Sequence, residues 1–326
     1  MREAVAAAEV GDDVLDGDPT VAALQEYAAD WLGKERALYV PSGTMANQVA
    51  LGVWTRPGDE LICVAAAHVA NWEGGAAGFL HGVQTRVLVS ERGALDAEAV
   101  RGALQPPSVH CPPTTLVCVE QTHMGSGGRA VPIAALAAVR AVAQDAGLPV
   151  HMDGARLANA VVASGRPARE HAAQADSVSI CLSKGLGAPV GSLVAGDAEF
   201  IEKALRVRKR LGGWMRQAGL IAAAGLHGLR HNVERLADDH ALARRLAEVC
   251  DSFEGLRADP ADVETNLILV HVDDPRFDAA TLSAALGEHG VRVLPLGPRI
   301  LRFVTHMDVG PADVERLGAA LGEILA

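Results

Sequence analysis

Three polar residues with complementary side-chain chemistry each follow a short apolar segment of the chain. They are His123, Asp153 and Lys184. If the apolar segments are parallel strands, these side chains meet at the carboxyl edge of one sheet, where α/β proteins bind ligands. A lysine among apolar neighbours has a lowered pKa, because burial disfavours its charge, and its free amine can attack a carbonyl group. The pattern therefore predicts a lysine nucleophile with an acidic neighbour.

Each of these residues also has a purely structural interpretation. An aspartate after a strand is often a helix cap, and a Ser-Lys-Gly segment such as 183–185 is often a turn before the next strand. A lysine, a carboxylate and a histidine at several strand ends are chemically matched, and this combination favours the catalytic interpretation.

The segment Ser42, Gly43 and Thr44 precedes a predicted helix and has the composition of a phosphate cradle. Glycine lets the backbone approach a phosphate, hydroxyl groups add hydrogen bonds, and the helix N-terminus offers unpaired N–H groups. The alternative is an ordinary helix N-cap. A phosphate site, a Schiff-base lysine and an acidic partner for a pyridinium nitrogen are together what pyridoxal phosphate (PLP) requires.

A second glycine-rich segment, 185–191, also follows a predicted strand and resembles a nucleotide-binding fingerprint. A dinucleotide fingerprint needs a helix that starts at its glycines, so that the helix N-terminus faces the pyrophosphate. Pro189 and the extended segment after it predict that no helix begins here. We therefore exclude a dinucleotide site.

Short apolar segments alternate with helical patterns over most of the chain. Seven strands are predicted at 37–40, 61–64, 87–89, 116–119, 150–152, 177–182 and 192–195. Helices are predicted at 20–32, 44–53, 96–104, 132–146 and 155–163, followed by a long helical tract at 198–250. Strands at 267–272, 291–294 and 300–304 and helices at 278–289 and 312–325 follow. We expect an α/β fold with a large domain, 1–228, around a mostly parallel sheet and a smaller α+β domain, 229–326.

The composition excludes several classes of protein. The chain has 326 residues, a formal net charge of −11 and 49% hydrophobic residues, and it lacks an apolar run of the roughly 20 residues that span a bilayer. The acidic balance argues against nucleic acid or an anionic membrane as a partner. No secretory signal is evident at Met1, so we expect a cytoplasmic protein. The five cysteines form no CxxC pair, so we expect reduced thiols and no metal site.

Spaced motifs along most of the chain resemble the low-specificity L-threonine aldolases. The matching segments are collinear and include 11–14, 18–21, 41–47, 122–123, 151–157, 181–191, 215–219 and 302–306. The resemblance implies a PLP-dependent transferase-like fold (fold type I, that of aspartate aminotransferase) with a seven-stranded sheet in the large domain, within the β-eliminating lyase group. It also implies a lyase that cleaves L-threonine, L-allo-threonine or related β-hydroxy-α-amino acids to glycine and an aldehyde.

The resemblance assigns the cofactor-binding residues one by one. Lys184 would form the Schiff base with PLP, and Ser183 lies beside it among the cofactor-binding residues. Asp153 would keep the pyridinium nitrogen protonated. His68 would stack on the ring and is a candidate acceptor of the substrate hydroxyl proton. The cradle of Ser42, Gly43 and Thr44 would hold the phosphate.

The resemblance also assigns substrate-binding residues and implies an oligomer. Arg156 and Arg302 would bind the substrate carboxylate, a task that suits the guanidinium fork, and Arg156 would also contact the cofactor. His123 matches a second catalytic histidine. A homodimer or homotetramer with shared active sites is expected, in which the neighbouring subunit contributes three residues: Trp72, Lys209 and Arg216.

Two alternatives to threonine cleavage remain open at this stage. The first keeps PLP but changes the reaction to β-elimination or racemisation. The second is a PLP-binding homologue with little aldolase activity. It arises because the family has a segment before the position of Met1 whose serine helps to bind the substrate carboxylate, and we expect this chain to lack that contact. Leu15, Met124, Trp72 and Trp214 also depart from the family pattern, which bears on substrate preference.

Overall fold

The computed structural model describes all 326 residues and contains one large mixed sheet and one small antiparallel sheet. The large sheet has seven strands: β1 (Arg36–Val40), β2 (Glu60–Val64), β3 (Gln84–Leu88), β4 (Thr114–Glu120), β5 (Val150–Gly154), β6 (Ser177–Cys181) and β7 (Ser192–Gly196). Their spatial order is β1-β7-β6-β5-β4-β2-β3. The predicted seven strands are therefore confirmed, with ends that differ by up to three residues.

The sheet is parallel from β3 to β6, and β7 runs antiparallel to both of its neighbours. Every residue of β2, β5, β6 and β7 is buried, because helices cover both faces of the sheet. This explains why these strands are buried along their whole length, although polar residues such as Glu60, His151 and Asp153 lie within them. The parallel strands β4, β5 and β6 end at the same edge, where their carboxyl ends meet.

The chain has fourteen helices, and eleven of them precede residue 232. They are α1 (Arg2–Ala6), α2 (Pro19–Leu32), α3 (Gly43–Trp54), α4 (His68–Asn71), α5 (Ala76–His81), α6 (Ala97–Ala103), α7 (Ile133–Asp145), α8 (Leu157–Ser164), α9 (Ala168–Ala172), α10 (Ala198–Arg210), α11 (Gly219–His231), α12 (Leu236–Asp251), α13 (Ala279–Glu288) and α14 (Pro311–Leu325). Side-chain caps define several starts: Asp18 caps α2 and Ser42 caps α3. Helix α2 ends at Gly33, whose φ of 63° favours glycine.

The prediction of one long helical tract at 198–250 is wrong, because the structure has three separate helices there, α10, α11 and α12. Gly212 adopts a φ of 76° just after α10, a left-handed conformation that ends the helix. The second break follows Asn232, whose side chain donates a hydrogen bond to the carbonyl of Leu186 at 2.8 Å.

The small sheet is antiparallel, in the order β10-β11-β9-β8, and contains β8 (Leu256–Arg257), β9 (Leu267–Val272), β10 (Leu294–Gly297) and β11 (Ile300–Val304). The strand predicted at 291–294 is wrong by about three residues. Residues before Leu294 bond to α13 instead: Val291 N–H donates to the carbonyl of Leu286 at 2.9 Å, and Ser283 Oγ donates to the carbonyl of Val293 at 2.8 Å.

Two main hydrophobic clusters accompany the two sheets. The larger has 47 buried residues and the smaller has 19, which begin at Ala243. Helix α11 continues across residues 228 and 229, where the boundary between the two domains was predicted. The division of the chain into these two domains stays a prediction. All five cysteines are free thiols, and none of the helices combines the length and the apolar character needed to cross a membrane.

Candidate active site

A cavity of about 310 Å³ opens where the carboxyl ends of β5 and β6 meet the start of α3. We call it the lysine cavity. Seven of the predicted site residues line it: Ser42, Gly43, Thr44, His68, Asp153, Ser183 and Lys184. An adjoining cavity of about 350 Å³ shares Ser183 and Lys184 and adds Arg156. The predicted convergence at the sheet edge is therefore observed for the lysine and the aspartate, which come from neighbouring strand ends.

Asp153 lies in β5, is almost completely buried and lines the lysine cavity. Its Oδ2 accepts a hydrogen bond from Asn47 Nδ2 at 2.7 Å, and its Oδ1 accepts one from the N–H of Ala155 at 3.0 Å. Burial alone would raise the pKa of Asp153, but the charges of Lys184 and His68 and these two hydrogen bonds hold that pKa below its usual value. Asp153 is thus an ionised carboxylate, able to pair with a cationic ring nitrogen.

The start of α3 also lines the cavity and has the features of a phosphate cradle. Ser42 Oγ accepts the N–H of Met45 at 3.2 Å, and the first N–H groups of the helix have no carbonyl partner within it. A Cβ at Gly43 would lie 2.6 Å from Cys181 Sγ, so the close packing here requires glycine. The donors at one end, the amine of Lys184 and the carboxylate of Asp153 fit a molecule with a phosphate, an aldehyde and a basic ring nitrogen.

His68 begins α4 and lines the same cavity. Its Nδ1 lies 2.9 Å from Glu73 Oε1, and this hydrogen bond is the main cause that raises the pKa of His68 above its ordinary value. Asn47 and Gln48 donate further hydrogen bonds to Glu73, at 2.7 Å and 2.6 Å. Neither Glu73 nor Asn47 was predicted as a site residue from the sequence.

Glu120 is another residue that the sequence analysis missed. It ends β4 in a buried position and accepts the N–H of His68 at 2.8 Å and the N–H of Met124 at 2.7 Å. Burial and the nearby charge of Asp153 raise the pKa of Glu120 to about 7. Its two hydrogen bonds connect the backbone of His68 to the loop that carries His123. A charged residue at the end of an apolar strand is the signal that could have identified it.

His123 lies beside this site but lines neither the lysine cavity nor the adjoining one. Its ring is buried, with Nδ1 2.9 Å from Ser126 Oγ, and its Nε2 is buried without a partner in the chain. Burial lowers the pKa of His123 to about 4, so the ring is neutral at physiological pH.

The two predicted substrate arginines are partly buried and make no ion pair. The Nε atoms of Arg156 and Arg302 are both buried without a hydrogen-bond partner, and Arg302 Nη1 lies 3.1 Å from Met124 Sδ. Burial lowers the pKa of each guanidinium, and each remains a cation. Of the two, Arg156 lines the cavity that Lys184 shares. Two cations with unused donors form an environment suited to a carboxylate.

Trp72, Lys209 and Arg216 lie on the surface of this single chain, and none of them lines either cavity. Trp72 is 48% exposed. Lys209 Nζ lies 5.5 Å from the centre of the Trp214 ring, and Arg216 pairs with Asp12 at 2.7 Å. Their predicted contribution to a neighbouring subunit's site stays a prediction.

The chain is similar to known proteins over most of its length. The beta-eliminating lyase family model matches residues 1–274. Low-specificity L-threonine aldolase 1 of Arabidopsis thaliana is 42% identical over 319 residues, which cover 96% of this chain and 89% of that protein. The low specificity L-threonine aldolase of Escherichia coli is 41% identical over 332 residues, which cover 100% of this chain and 95% of that protein.

The fold is also shared with solved structures. A threonine aldolase from Leishmania major superposes with a TM-score of 0.80 at 21% identity, over 95% of this chain and 90% of that one. The family model and the identity over nearly the whole length agree with the motifs. This chain belongs to the beta-eliminating lyase family, among its low-specificity L-threonine aldolases.

Proposed function

We propose that this protein is a PLP-dependent lyase that cleaves L-threonine, L-allo-threonine or related β-hydroxy-α-amino acids to glycine and an aldehyde. The observation that carries the proposal is the lining of one cavity, which combines the amine of Lys184, the buried carboxylate of Asp153 and the N-terminus of α3. The relatives named as threonine aldolases support the same reaction.

The residues of the lysine cavity fit PLP as the cofactor. Ser42, Gly43 and Thr44 would bind its phosphate, Asp153 would pair with its ring nitrogen, and Lys184 would hold its aldehyde carbon. When bound, PLP supplies a covalent attachment for the substrate amine and an acceptor for the electron pair released at Cα.

The protein's own groups then decide which bond breaks. Arg156 and Arg302 would bind the substrate carboxylate and so fix the orientation of the Cα–Cβ bond. His68 would accept the proton of the β-hydroxyl group as the carbonyl forms and the Cα–Cβ bond breaks. Return of a proton to Cα completes glycine, while the aldehyde leaves with the former Cβ.

We also propose a homodimer or homotetramer in which Trp72, Lys209 and Arg216 approach a neighbouring subunit's site. The exposure of two aromatic side chains, Trp72 at 48% and Phe79 at 88%, supports a covered face in an oligomer. Five free cysteines suit the reducing cytoplasm, where the reaction would serve threonine breakdown and glycine formation.

The direct test is to incubate the purified protein and PLP with L-threonine and L-allo-threonine, and to measure glycine and acetaldehyde. Equimolar glycine and acetaldehyde support the proposal. L-Serine is the second substrate: release of pyruvate and ammonia in place of glycine would indicate β-elimination, and conversion to D-serine would indicate a racemase. Bound cofactor without any of these products would leave only a PLP-binding homologue and would overturn the proposal.

A further inference from the structure

Glu73 is a fully buried carboxylate next to the lysine cavity, and no step of the proposed reaction uses it. We propose that Glu73 is a positioning residue: it holds His68 with a proton on Nδ1, so that Nε2 is free to accept the proton of the substrate hydroxyl group. This inference rests on the proposed function for the identity of the proton, but the state of His68 can be measured separately.

The hydrogen bonds around Glu73 show that its carboxylate is a hydrogen-bond acceptor. Its Oε1 accepts from Asn47 Nδ2 at 2.7 Å and lies 2.9 Å from His68 Nδ1, while its Oε2 accepts from Gln48 Nε2 at 2.6 Å. Its side chain is 0% exposed. A carboxylate engaged in this way acts only as an acceptor, so the atom that faces it on His68 must be an N–H.

The contact between Glu73 and His68 Nδ1 determines which tautomer the His68 imidazole adopts. With the proton on Nδ1, the other ring nitrogen carries the lone pair, and His68 Nε2 has no hydrogen-bond partner within the chain. The other charged groups that face His68 are Asp153, which favours its protonated form, and Lys184, which opposes it. Glu120 accepts the backbone N–H of His68.

Asn47 separates this arrangement from a metal site. The donor atoms of His68, Glu73 and Asp153 lie within 4.8 Å of one another, a grouping that could suit a metal ion. Asn47 Nδ2, however, donates one hydrogen to Glu73 and the other to Asp153, and it thereby occupies the space between the two carboxylates. The two carboxylates therefore accept hydrogen bonds from one amide, and His68 contacts Glu73.

Glu73 would act during the transfer of the substrate hydroxyl proton to His68. The O–H bond of the substrate breaks, the proton binds His68 Nε2, and the ring becomes a cation. Glu73 Oε1, in contact with the opposite nitrogen, stabilises that cation and keeps the ring plane fixed. The same pairing of a carboxylate with the far nitrogen of a histidine base is a general device in catalysis.

The experiment is NMR on the full-length protein with 13C-labelled histidine, recorded with and without saturating PLP. The chain has 12 histidines, and the His68 signal is assigned by its loss in His68→Asn. Imidazole carbon shifts distinguish the two neutral tautomers. We expect the Nδ1–H tautomer in the wild type and a decrease of about one unit or more in the pKa of His68 in Glu73→Gln. An Nε2–H tautomer, or an unchanged pKa in Glu73→Gln, would overturn the inference.

Glu60→Gln is the matched control, because Glu60 is equally buried but lies at the start of β2 and bonds to Gln84 and Arg86. It should destabilise the fold without moving the His68 titration. If Glu73→Gln fails to fold, the wild-type tautomer alone decides the question.

Kinetics of the loaded enzyme provide the second readout. In Glu73→Gln the acidic limb of the kcat profile should move to lower pH and kcat should fall by about 10-fold or more, with KM for L-threonine changed little. An unchanged profile contradicts the role of Glu73. Absence of glycine formation in the wild type would overturn the proposed function, while the tautomer and titration would still test Glu73.

Discussion

Asn47 Nδ2 donates a hydrogen bond to Asp153 Oδ2 at 2.7 Å, and the same amide nitrogen donates to Glu73 at 2.7 Å. Asn47 is itself held in place, because its Oδ1 accepts from Ser179 Oγ at 2.8 Å and lies 3.2 Å from His151 Nε2. One buried amide in α3 therefore joins the carboxylate proposed to face the cofactor ring to the carboxylate that contacts His68.

Replacing this amide tests its effect on Asp153. In Asn47→Ala the carboxylate loses one of its two hydrogen bonds, so the pKa of Asp153 should rise and PLP should bind about 10-fold more weakly. The cofactor should also be lost at a higher pH during acidification, which is followed by its visible absorbance. Gln144→Ala, an exposed amide on α7, is the control and should behave as wild type. Equal PLP affinity in the Asn47 and Gln144 variants would contradict the role of Asn47.

Gly43 tests the close packing of the phosphate cradle against β6. Its substitution by alanine places a Cβ 2.6 Å from Cys181 Sγ, so Gly43→Ala should lower the free energy of unfolding by about 1–3 kcal/mol and weaken PLP binding. Removing the sulfur should relieve the clash. The double variant Gly43→Ala/Cys181→Ala should recover much of the lost stability in chemical denaturation, and no recovery would show that the contact with Cys181 is not the cause.

The two arginines without ion pairs are expected to bind the substrate carboxylate, and Arg302 is expected to make no contribution to cofactor retention. In Arg302→Lys or Arg156→Lys the planar fork is lost, so KM for L-threonine should rise by about 10-fold or more. The absorbance of bound PLP should stay unchanged in the Arg302 variant. Arg206→Lys, an exposed arginine on α10, should keep the wild-type KM. An unaltered KM in Arg302→Lys would exclude this residue from carboxylate binding.

Buried neutral histidines should make the protein less stable in acid. Burial lowers the pKa of His240 to about 4, whereas an unfolded histidine titrates near 6.5. Between these values the unfolded chain binds the extra proton and the folded chain does not. Stability contributed by the neutral ring is complete above pH 6.5 and is lost progressively as the pH falls towards 4, by roughly 3 kcal/mol at most for this group.

His240→Gln isolates this contribution, since Gln can replace the ring as a polar partner of Asn159, whose Nδ2 lies 3.0 Å from His240 Nε2. Urea denaturation at pH 7 and pH 5 should show a smaller loss of stability in this variant than in the wild type. Identical pH dependence of the two proteins would show that the pKa of His240 in the folded protein is not lowered below that of an unfolded histidine.

The features that could be predicted from the sequence are those determined by local patterns. Strand ends, a glycine before a helix and the chemistry of Lys184 and Asp153 are visible in short segments, and these residues do meet in one cavity. The roles of Glu73 and Asn47 could not be predicted in this way. They depend on contacts between residues 26 and 106 positions apart, which only the folded chain brings together.

The ends of some helices and strands also could not be predicted from the sequence pattern. The segment before β10 is as apolar as a strand, but hydrogen bonds from Val291 and to Val293 attach it to α13. A glycine at residue 212 ends a helix that its periodicity would extend. In both cases the deciding interaction is a specific backbone bond or dihedral angle that a hydrophobic pattern does not encode.

Reductive trapping of the bound cofactor tests the central claim most directly. The chain has only four lysines, Lys34, Lys184, Lys203 and Lys209, so borohydride reduction of the PLP-loaded protein followed by peptide mass spectrometry identifies the attached amine without ambiguity. We expect one phosphopyridoxyl group per chain, on Lys184, and no stoichiometric label in Lys184→Ala. Labelling of another lysine, or retention of the label in Lys184→Ala, would contradict the assignment of this cavity as the active site.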